Sequence, residues 1–222
     1  MGRTSDAKVR LLAVAFDLIW SQSYGAVSVD NICDRAGVKK GSFYYFFPSK
    51  SDLAVAAYEE HWQQRRPTLD RCFSPLVPPL ERISNYCQVV YDNQKAKLKK
   101  AGRVLGCPFA SVGCELSTQD EKIRHKSQEV FERGCKYLET ALRDAHEAGL
   151  IGKCDFVIKS RAISSFILGM LLQAKVKNDV EVLRDLGPLV MQLVGAAPAA
   201  KPAATPVATR RSHRSVTQTA AC

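Results

Sequence analysis

The sequence predicts an all-α chain, with a short N-terminal three-helix unit followed by a larger helical body. Three observations carry that expectation. Apolar residues recur at three- and four-residue spacing in one segment after another, the period of a helix with one buried face. Tyr24-Gly25, Gly37, Pro67 and Gly149 stand where those periodic segments stop. Between Ser28 and Leu53, two short helical patterns meet at a tight Gly37-Val38 turn, the arrangement of a helix-turn-helix.

Met1 to Thr4 reads as a short arm, with Arg3 in reach of a phosphate or minor groove or simply at a free terminus. A first helix follows, about Ser5 to Ser23, with Val9, Leu12, Phe16, Ile19 and Trp20 on one face. Its place is to support the next two, with Lys8 and Arg10 as candidate phosphate contacts. The second helix is short, about Val29 to Ala36. Ser28 is its N-cap, Asp30 suits its first turn, and Ile32, Cys33 and Ala36 keep the period. Gly37 ends it, because glycine tolerates left-handed geometry.

The aromatic run Lys39 to Phe47 would favour a strand on propensity alone. Gly37 and Gly41 break any alternation, however, and Pro48-Ser49 closes the run, with Ser49 and Asp52 placed like a capping box. A helix from about Lys39 to Phe46 fits better, with Phe43 and Phe47 packed inward. The second helix of such a pair leads into the major groove with its N-terminal residues. Here these are Lys39, Lys40 and Ser42, with Tyr44 and Tyr45 one turn on. Lysine donates to guanine edges or phosphate, and tyrosine hydroxyls hold phosphates. Gly41 lets the helix approach a duplex closely. The plainer reading is a helical pair with a solvated lysine face and an aromatic core.

The ordered series Gly37, Val38, Gly41, Ser42, Phe43, Tyr44, Phe47, Ser49, Lys50 and Leu53 resembles the DNA-binding signature of the TetR family of bacterial transcriptional repressors. The resemblance covers about the first quarter of the chain. It implies that Lys39, Lys40, Ser42, Tyr44 and Tyr45 face DNA and that Ser28 and Lys50 hold phosphates. Phe46 departs from the pattern, since the family carries tyrosine or histidine there.

Ser49 opens a longer helix to about Arg66, with Leu53, Ala57, Tyr58 and Trp62 inward and Pro67 at its end. In the family this helix links the reader to the regulatory body, and a shift along it changes the spacing of two readers in a dimer. Thr68 to Pro79 reads as loop. Leu80, Ile83, Cys87, Val90, Tyr91 and Gln94 then form a stripe up to about Leu98, where lysines complement the helix dipole. Gly102 to Ser117 is irregular or briefly helical. Its Gly106, Cys107, Glu115 and Leu116 match a run that many TetR-type regulators carry beside the ligand cavity. Helices follow at about Gln119 to Ala148, Asp155 to Val176 and Val180 to Val194. Phe131, Cys135, Leu138, Leu142 and Ala145 line the first of these. Ile163, Phe166, Ile167, Met170, Leu171 and Ala174 line the second, where Gly169 permits close approach of another helix. Leu183, Leu186, Leu189, Val190 and Leu193 line the third. The last two carry more apolar surface than a small body covers. A four-helix dimer interface accounts for it, as the family implies, and an intramolecular core is the alternative.

Charge sharpens this organisation. The net charge of +10 divides as +3 over residues 1–50, +3 over 51–195 and +4 over 196–222. The excess thus sits in the helix-turn-helix domain and in an Ala/Pro/Thr-rich tail too poor in apolar residues to order itself, leaving 51–195 as the regulatory and dimerisation domain. The eight cysteines show no zinc spacing, the four histidines are isolated, and no catalytic constellation stands out. No enzyme activity, cofactor or metal is expected. With no signal peptide and no membrane-length apolar run, a cytoplasmic address with reduced thiols is expected.

The expected protein is a homodimeric repressor on a near-palindromic, double-stranded DNA operator, released by a small-molecule effector. Tyr91, Cys107, Phe109, Phe131, Cys135 and Phe166 are the expected cavity lining. Two alternatives remain. One is an electrophile or redox sensor using Cys107, with Cys114 close by and Arg103 lowering the thiol pKa. The other is a non-specific DNA binder driven by the basic ends.

Overall fold

A computed structural model describes residues 2–195. The tail expected at 196–222 lies outside the described residues. Nine α-helices and one 3₁₀ turn make up the described chain: α1 (Gly2–Ser21), α2 (Val29–Ala36), α3 (Lys40–Phe46), α4 (Lys50–Cys72), α5 (Pro79–Ala101), α6 (Pro108–Leu116), α7 (Glu121–Glu147), α8 (Phe156–Lys177), the turn η1 (Val180–Leu183) and α9 (Leu186–Val194). The all-α expectation holds. Helices α1 to α3 pack as a compact reader, and α4 carries the chain from it into a body built around α5, α7, α8 and α9.

Local signals account for most of the boundaries. Ser28 and Asn31 form a reciprocal capping box, each side-chain oxygen accepting the other's backbone N–H at 3.0 Å. Gly37 closes α2 at φ 62°. Ser49 accepts from the Asp52 amide at 3.1 Å, and Asp155 accepts from Ile158 at 2.9 Å.

Several expectations are corrected. Helix α1 already begins at Gly2, so Gly2 to Thr4, expected in an arm, are helical. Val9, expected inward, is exposed. Pro67 does not end α4, which continues five residues to Cys72. The burial of Leu69, Cys72 and Phe73 against the body offsets the missing N–H and the ring's clash with the preceding turn. The last segment is not one helix. Pro188 lies in the first turn of α9, and its ring excludes a helical carbonyl four residues earlier, at Arg184, so the chain breaks there into η1 and α9. Helix α8 is also long and apolar enough to cross a membrane by length and composition, contrary to expectation. It packs on α7, α9 and η1 with Ile163, Ile167, Leu171 and Ala174 buried, while Val157, Ile158, Leu172 and Val176 stay exposed on its other face.

Two features hold α4 to the body and the body to the reader. The first is an ionic seam between α4 and α7. Asp52 pairs with Lys122 at 2.6 Å. Glu59 pairs with Lys126 at 2.8 Å and Arg133 at 2.9 Å, and Asp70 accepts from the Tyr137 hydroxyl. The partners ascend both helices together, so the two run side by side in the same direction. Burial alone would raise the Glu59 carboxyl, but Lys126, Gln63 and Arg133 hold it down at about 2.

The second feature is the turn between α1 and α2. The Glu115 carboxylate on α6 accepts the backbone N–H of Tyr24 at 3.0 Å and of Gly25 at 2.7 Å. On the other side, the Lys50 ammonium donates to the carbonyls of Tyr24 at 2.9 Å and Val27 at 2.8 Å, and lies 3.9 Å from the Tyr24 ring centroid. A Cβ at Gly25 would stand 3.0 Å from Glu115 Oε1, so this close approach requires glycine. Trp20 Nε1 adds a bond to the Leu105 carbonyl at 3.2 Å, and Tyr58 donates to the Pro108 carbonyl at 3.3 Å. Body and reader are therefore joined by directed hydrogen bonds as well as by apolar packing.

His61 belongs to the same junction. Its ring stacks on Phe16 of α1, with centroids 3.9 Å apart. Burial, reinforced by Arg65 and Lys97, pulls its pKa from 6.5 down to about 3. The unfolded chain therefore takes up a proton below about pH 6.5 that the folded chain refuses until about pH 3. This contribution to stability is complete above 6.5 and shrinks as pH falls towards 3. His61→Phe keeps the stack and removes the titration, so its Tm is expected to fall less steeply between pH 6.5 and 4 than that of the wild type, in a thermal-melt series. Lys50→Met leaves two loop carbonyls without their donor. It is expected to cost about 1–3 kcal/mol, a Tm loss of several degrees read by thermal denaturation at pH 7.

Candidate nucleic-acid interface and effector cavities

Helix α3 has two unlike faces. Phe43 is fully buried and Phe47 nearly so, pinning the helix to α1 and α2. On the other side stand Lys39, Gly41, Ser42, Tyr44 and Tyr45, all exposed. Tyr45 is 77% exposed and Tyr44 51%, a degree of exposure uncommon for large aromatic side chains. Among the described residues, the side chains of Lys39, Ser42, Tyr44 and Tyr45 make no hydrogen bond or ion pair. Nothing lies within 4 Å of a Cβ built on Gly41. The result is a row of unengaged donors on a rigid helix, with a bare backbone at its leading turn. Phe46 is half-buried against the core, in keeping with its lack of a polar tip.

The remaining expected interface residues are engaged elsewhere. Lys40 pairs with Asp30 at 2.8 Å, tying the start of α3 to the start of α2, and this partner raises its pKa. Ser28 is exposed, and its hydroxyl serves the Asn31 cap. Lys50 is committed to the Tyr24–Val27 turn, and its burial there lowers its pKa. Arg10 pairs with Asp6 at 3.6 Å, and Lys8 lies 6.0 Å from the Phe47 ring centroid.

Two cavities lie behind this reader. A large cleft of about 1410 Å³ runs between α6, α7 and α8 and reaches the end of α1 at Ile19, Trp20, Gln22 and Ser23. A small inner chamber of about 60 Å³ lies deeper, between α4, α5, α7 and α8. Cys107, Phe131 and Leu168 line both, so the two spaces adjoin along these three side chains.

Of the six expected lining residues, Cys107 and Phe131 face both spaces, Phe109 faces the chamber and Cys135 the cleft. Tyr91 does not take part: its hydroxyl donates to Glu181 at 3.2 Å, at the contact of α5 with η1. Phe166 lines neither cavity. Sequence reasoning missed Trp62, Arg65, Tyr86 and Tyr137 in the chamber wall and Ser127 in the cleft, while Glu115, matched to a run beside the ligand cavity, does line the cleft. Ser127 is buried, with its hydroxyl unpaired among the described residues.

Cys107 occupies the N-cap position of α6 without a side-chain capping bond. Burial pushes its thiol pKa up, against the smaller lowering effects of the Ala110 amide, Arg65 and the Phe109 amide. The cation beside it is thus Arg65, where sequence reasoning placed Arg103, and the net direction is away from a reactive thiolate. Among the described residues, no group of three or more His, Cys, Asp and Glu side chains is placed to hold a metal ion.

Comparison with known proteins agrees with this architecture. Residues 11–57 match the model for bacterial regulatory proteins of the tetR family, and residues 79–186 match the tetracyclin repressor-like C-terminal domain. An HTH-type transcriptional regulator from the lacX 3' region of Lactococcus lactis subsp. lactis is 29% identical over 182 residues, covering 80% of this chain and 88% of its own. The HTH-type transcriptional repressor NemR of Escherichia coli K12 is 24% identical over 196 residues, covering 87% and 96%. The crystal structure of reduced E. coli NemR superposes with a TM-score of 0.73 at 24% identity, over 84% of this chain and 96% of that one, a likeness of fold. With a helix-turn-helix reader at one end and a tetracyclin-repressor-like helical body behind it, the chain belongs to the TetR family of bacterial transcriptional regulators.

Proposed function

We propose that this regulator is a homodimeric repressor that holds a near-palindromic operator with two α3 helices and is released by a small molecule bound beneath α6. The unengaged polar row of α3 carries the reading. Lys39, Ser42, Tyr44 and Tyr45 present donors to a duplex on a helix whose opposite face is locked by Phe43 and Phe47. Residues 1–50 form the reader and 51–195 the regulatory body. The N-terminal residues of α3 meet base edges, and the tyrosine hydroxyls meet phosphates. Lys50 and Lys40 act at one remove, by holding the turn and the α2–α3 pair in the binding geometry.

A two-fold partner explains the body's exposed apolar surface. Ile158, Leu172 and Val176 stand 59, 61 and 77% exposed on α8, and Leu193 stands 44% exposed on α9. Gly169 lies on the same side of α8, with open space over its Cα. Two such α8–α9 pairs bury one another as a four-helix bundle and close the mouth of the cleft. The readers then meet successive major grooves about 34–36 Å apart.

Release follows if the effector favours one arrangement of α4 and α6 over the arrangement that fits DNA. The raised thiol pKa of Cys107 favours non-covalent occupancy of the cavities over thiol sensing.

Gel shifts against the chain's own upstream DNA, with excess competitor, test the reading. A discrete band that survives competitor is expected. Binding lost to competitor would leave only non-specific affinity. Tyr45→Ala is expected to weaken specific binding about tenfold or more, equivalent to ~1.4 kcal/mol, with Tm and dimer mass unchanged; unaltered affinity would remove α3 from the interface. Leu172→Glu is expected to shift the protein to monomer in sedimentation velocity and to abolish the specific band.

A further inference from the structure

The inner chamber has an uneven chemistry. Its wall contains Trp62, Phe73, Phe109 and Phe131, the phenols Tyr86 and Tyr137, and a single charged residue, Arg65. No carboxylate lines it, and among the described residues Arg65 enters no ion pair. Arg65 is half-buried, so its guanidinium borders the aromatic chamber from a partly solvated position with no carboxylate facing it across the space. The neighbouring cations Arg66, Arg82 and Arg133 each have a carboxylate partner, at Asp70, Asp144 and Glu59. The charge of Arg65 reaches His61, Tyr86 and Cys107, the last two of them in the chamber wall.

Size narrows the ligand further. Roughly 60 Å³ holds about two water-sized groups, well short of the ~300–1,000 Å³ of a whole ligand pocket. The chamber therefore takes a head group only. Beyond the shared lining of Cys107, Phe131 and Leu168 lies the cleft of about 1410 Å³, where Val112, Leu172 and Val176 offer apolar surface.

We propose that the effector is an amphipathic acid, whose compact anionic head enters the inner chamber and pairs with Arg65 while its apolar body lies past Phe131 and Leu168 in the cleft. Tyr86 presents its phenol at the chamber wall beside Arg65, while the Tyr137 hydroxyl in the same wall is engaged by Asp70. The inference rests on the effector-released reading and supplies its coupling. Arg65 stands on α4, the helix that begins at Lys50, fifteen residues and about 22 Å earlier along the axis. Charge bound at Arg65 thus acts on the element that grips the Tyr24–Val27 turn.

A matched pair of probes tests it on the full-length protein: octanoate and its neutral isostere octanamide, titrated by isothermal calorimetry. Octanoate is expected to bind at least tenfold more tightly than octanamide. Arg65→Met is expected to abolish that preference while retaining octanamide affinity, and Arg66→Met to leave it unchanged. Equal affinity of the two probes, absence of octanoate binding, or a preference that survives Arg65→Met would overturn the proposal. Should Arg65→Met fail to fold, the wild-type ratio and its reduction in Arg65→Lys decide instead. A parallel gel shift separates this inference from the functional reading. Octanoate that binds through Arg65 but leaves the operator complex intact contradicts ligand release and leaves the anion site standing.

Discussion

A four-residue turn, Tyr24 to Val27, is held from two sides by opposite charges. The Glu115 carboxylate takes two of its amides, and the Lys50 ammonium takes two of its carbonyls. Each group is stabilised by backbone dipoles pointing at it, and each acts on the other through the turn, since Glu115 favours the charged form of Lys50. The position of α2 and α3 follows from this grip, because α2 begins immediately beyond the turn, at its Ser28 cap. A reader docked by apolar packing alone could slide, whereas one held by four directed bonds has a defined pose.

The two ends of the grip belong to the two elements that meet the cavities. Glu115 is on α6, which lines the cleft, and Lys50 opens α4, which lines the inner chamber. Helix α4 is also clamped to α7 along the seam of Asp52, Glu59 and Asp70 with their partners. Under the proposed ligand release, a molecule in either cavity would touch elements that end at the reader. Coupling of this kind needs no long-range wire, only two arrangements of α4 and α6 that the ligand and the DNA prefer unequally.

The all-helical fold was legible because its signals are local. Helical period, the Ser28, Ser49 and Asp155 caps and the Gly37 stop are written within a few residues of where they act. The interior faces of α1, α4 and α5 were legible for the same reason, Val9 excepted. What escaped depended on distant partners. Pro67 reads as a stop, yet burial of Leu69 and Phe73 carries α4 through it. Lys50 fits a family motif that suggested a phosphate, while its donors go to carbonyls 23 and 26 residues away. Glu115 could be quoted as part of a motif, but its partners lie 90 and 91 residues back. Tyr91 and Phe166 show the limit of periodicity, which tells that a residue is on an apolar face but not which neighbour that face meets. Arg65 was passed over because an isolated arginine on a helix ordinarily reads as solvated.

The most direct test of the central claim is hydrogen exchange at the Tyr24 and Gly25 amides, read with operator affinity, in the wild type and in Glu115→Met. Faster exchange at those amides, together with weaker operator binding and an unchanged melting curve for the body, is the predicted result. Exchange and affinity both equal to the wild type would contradict the account, and the reader would then be positioned by packing alone.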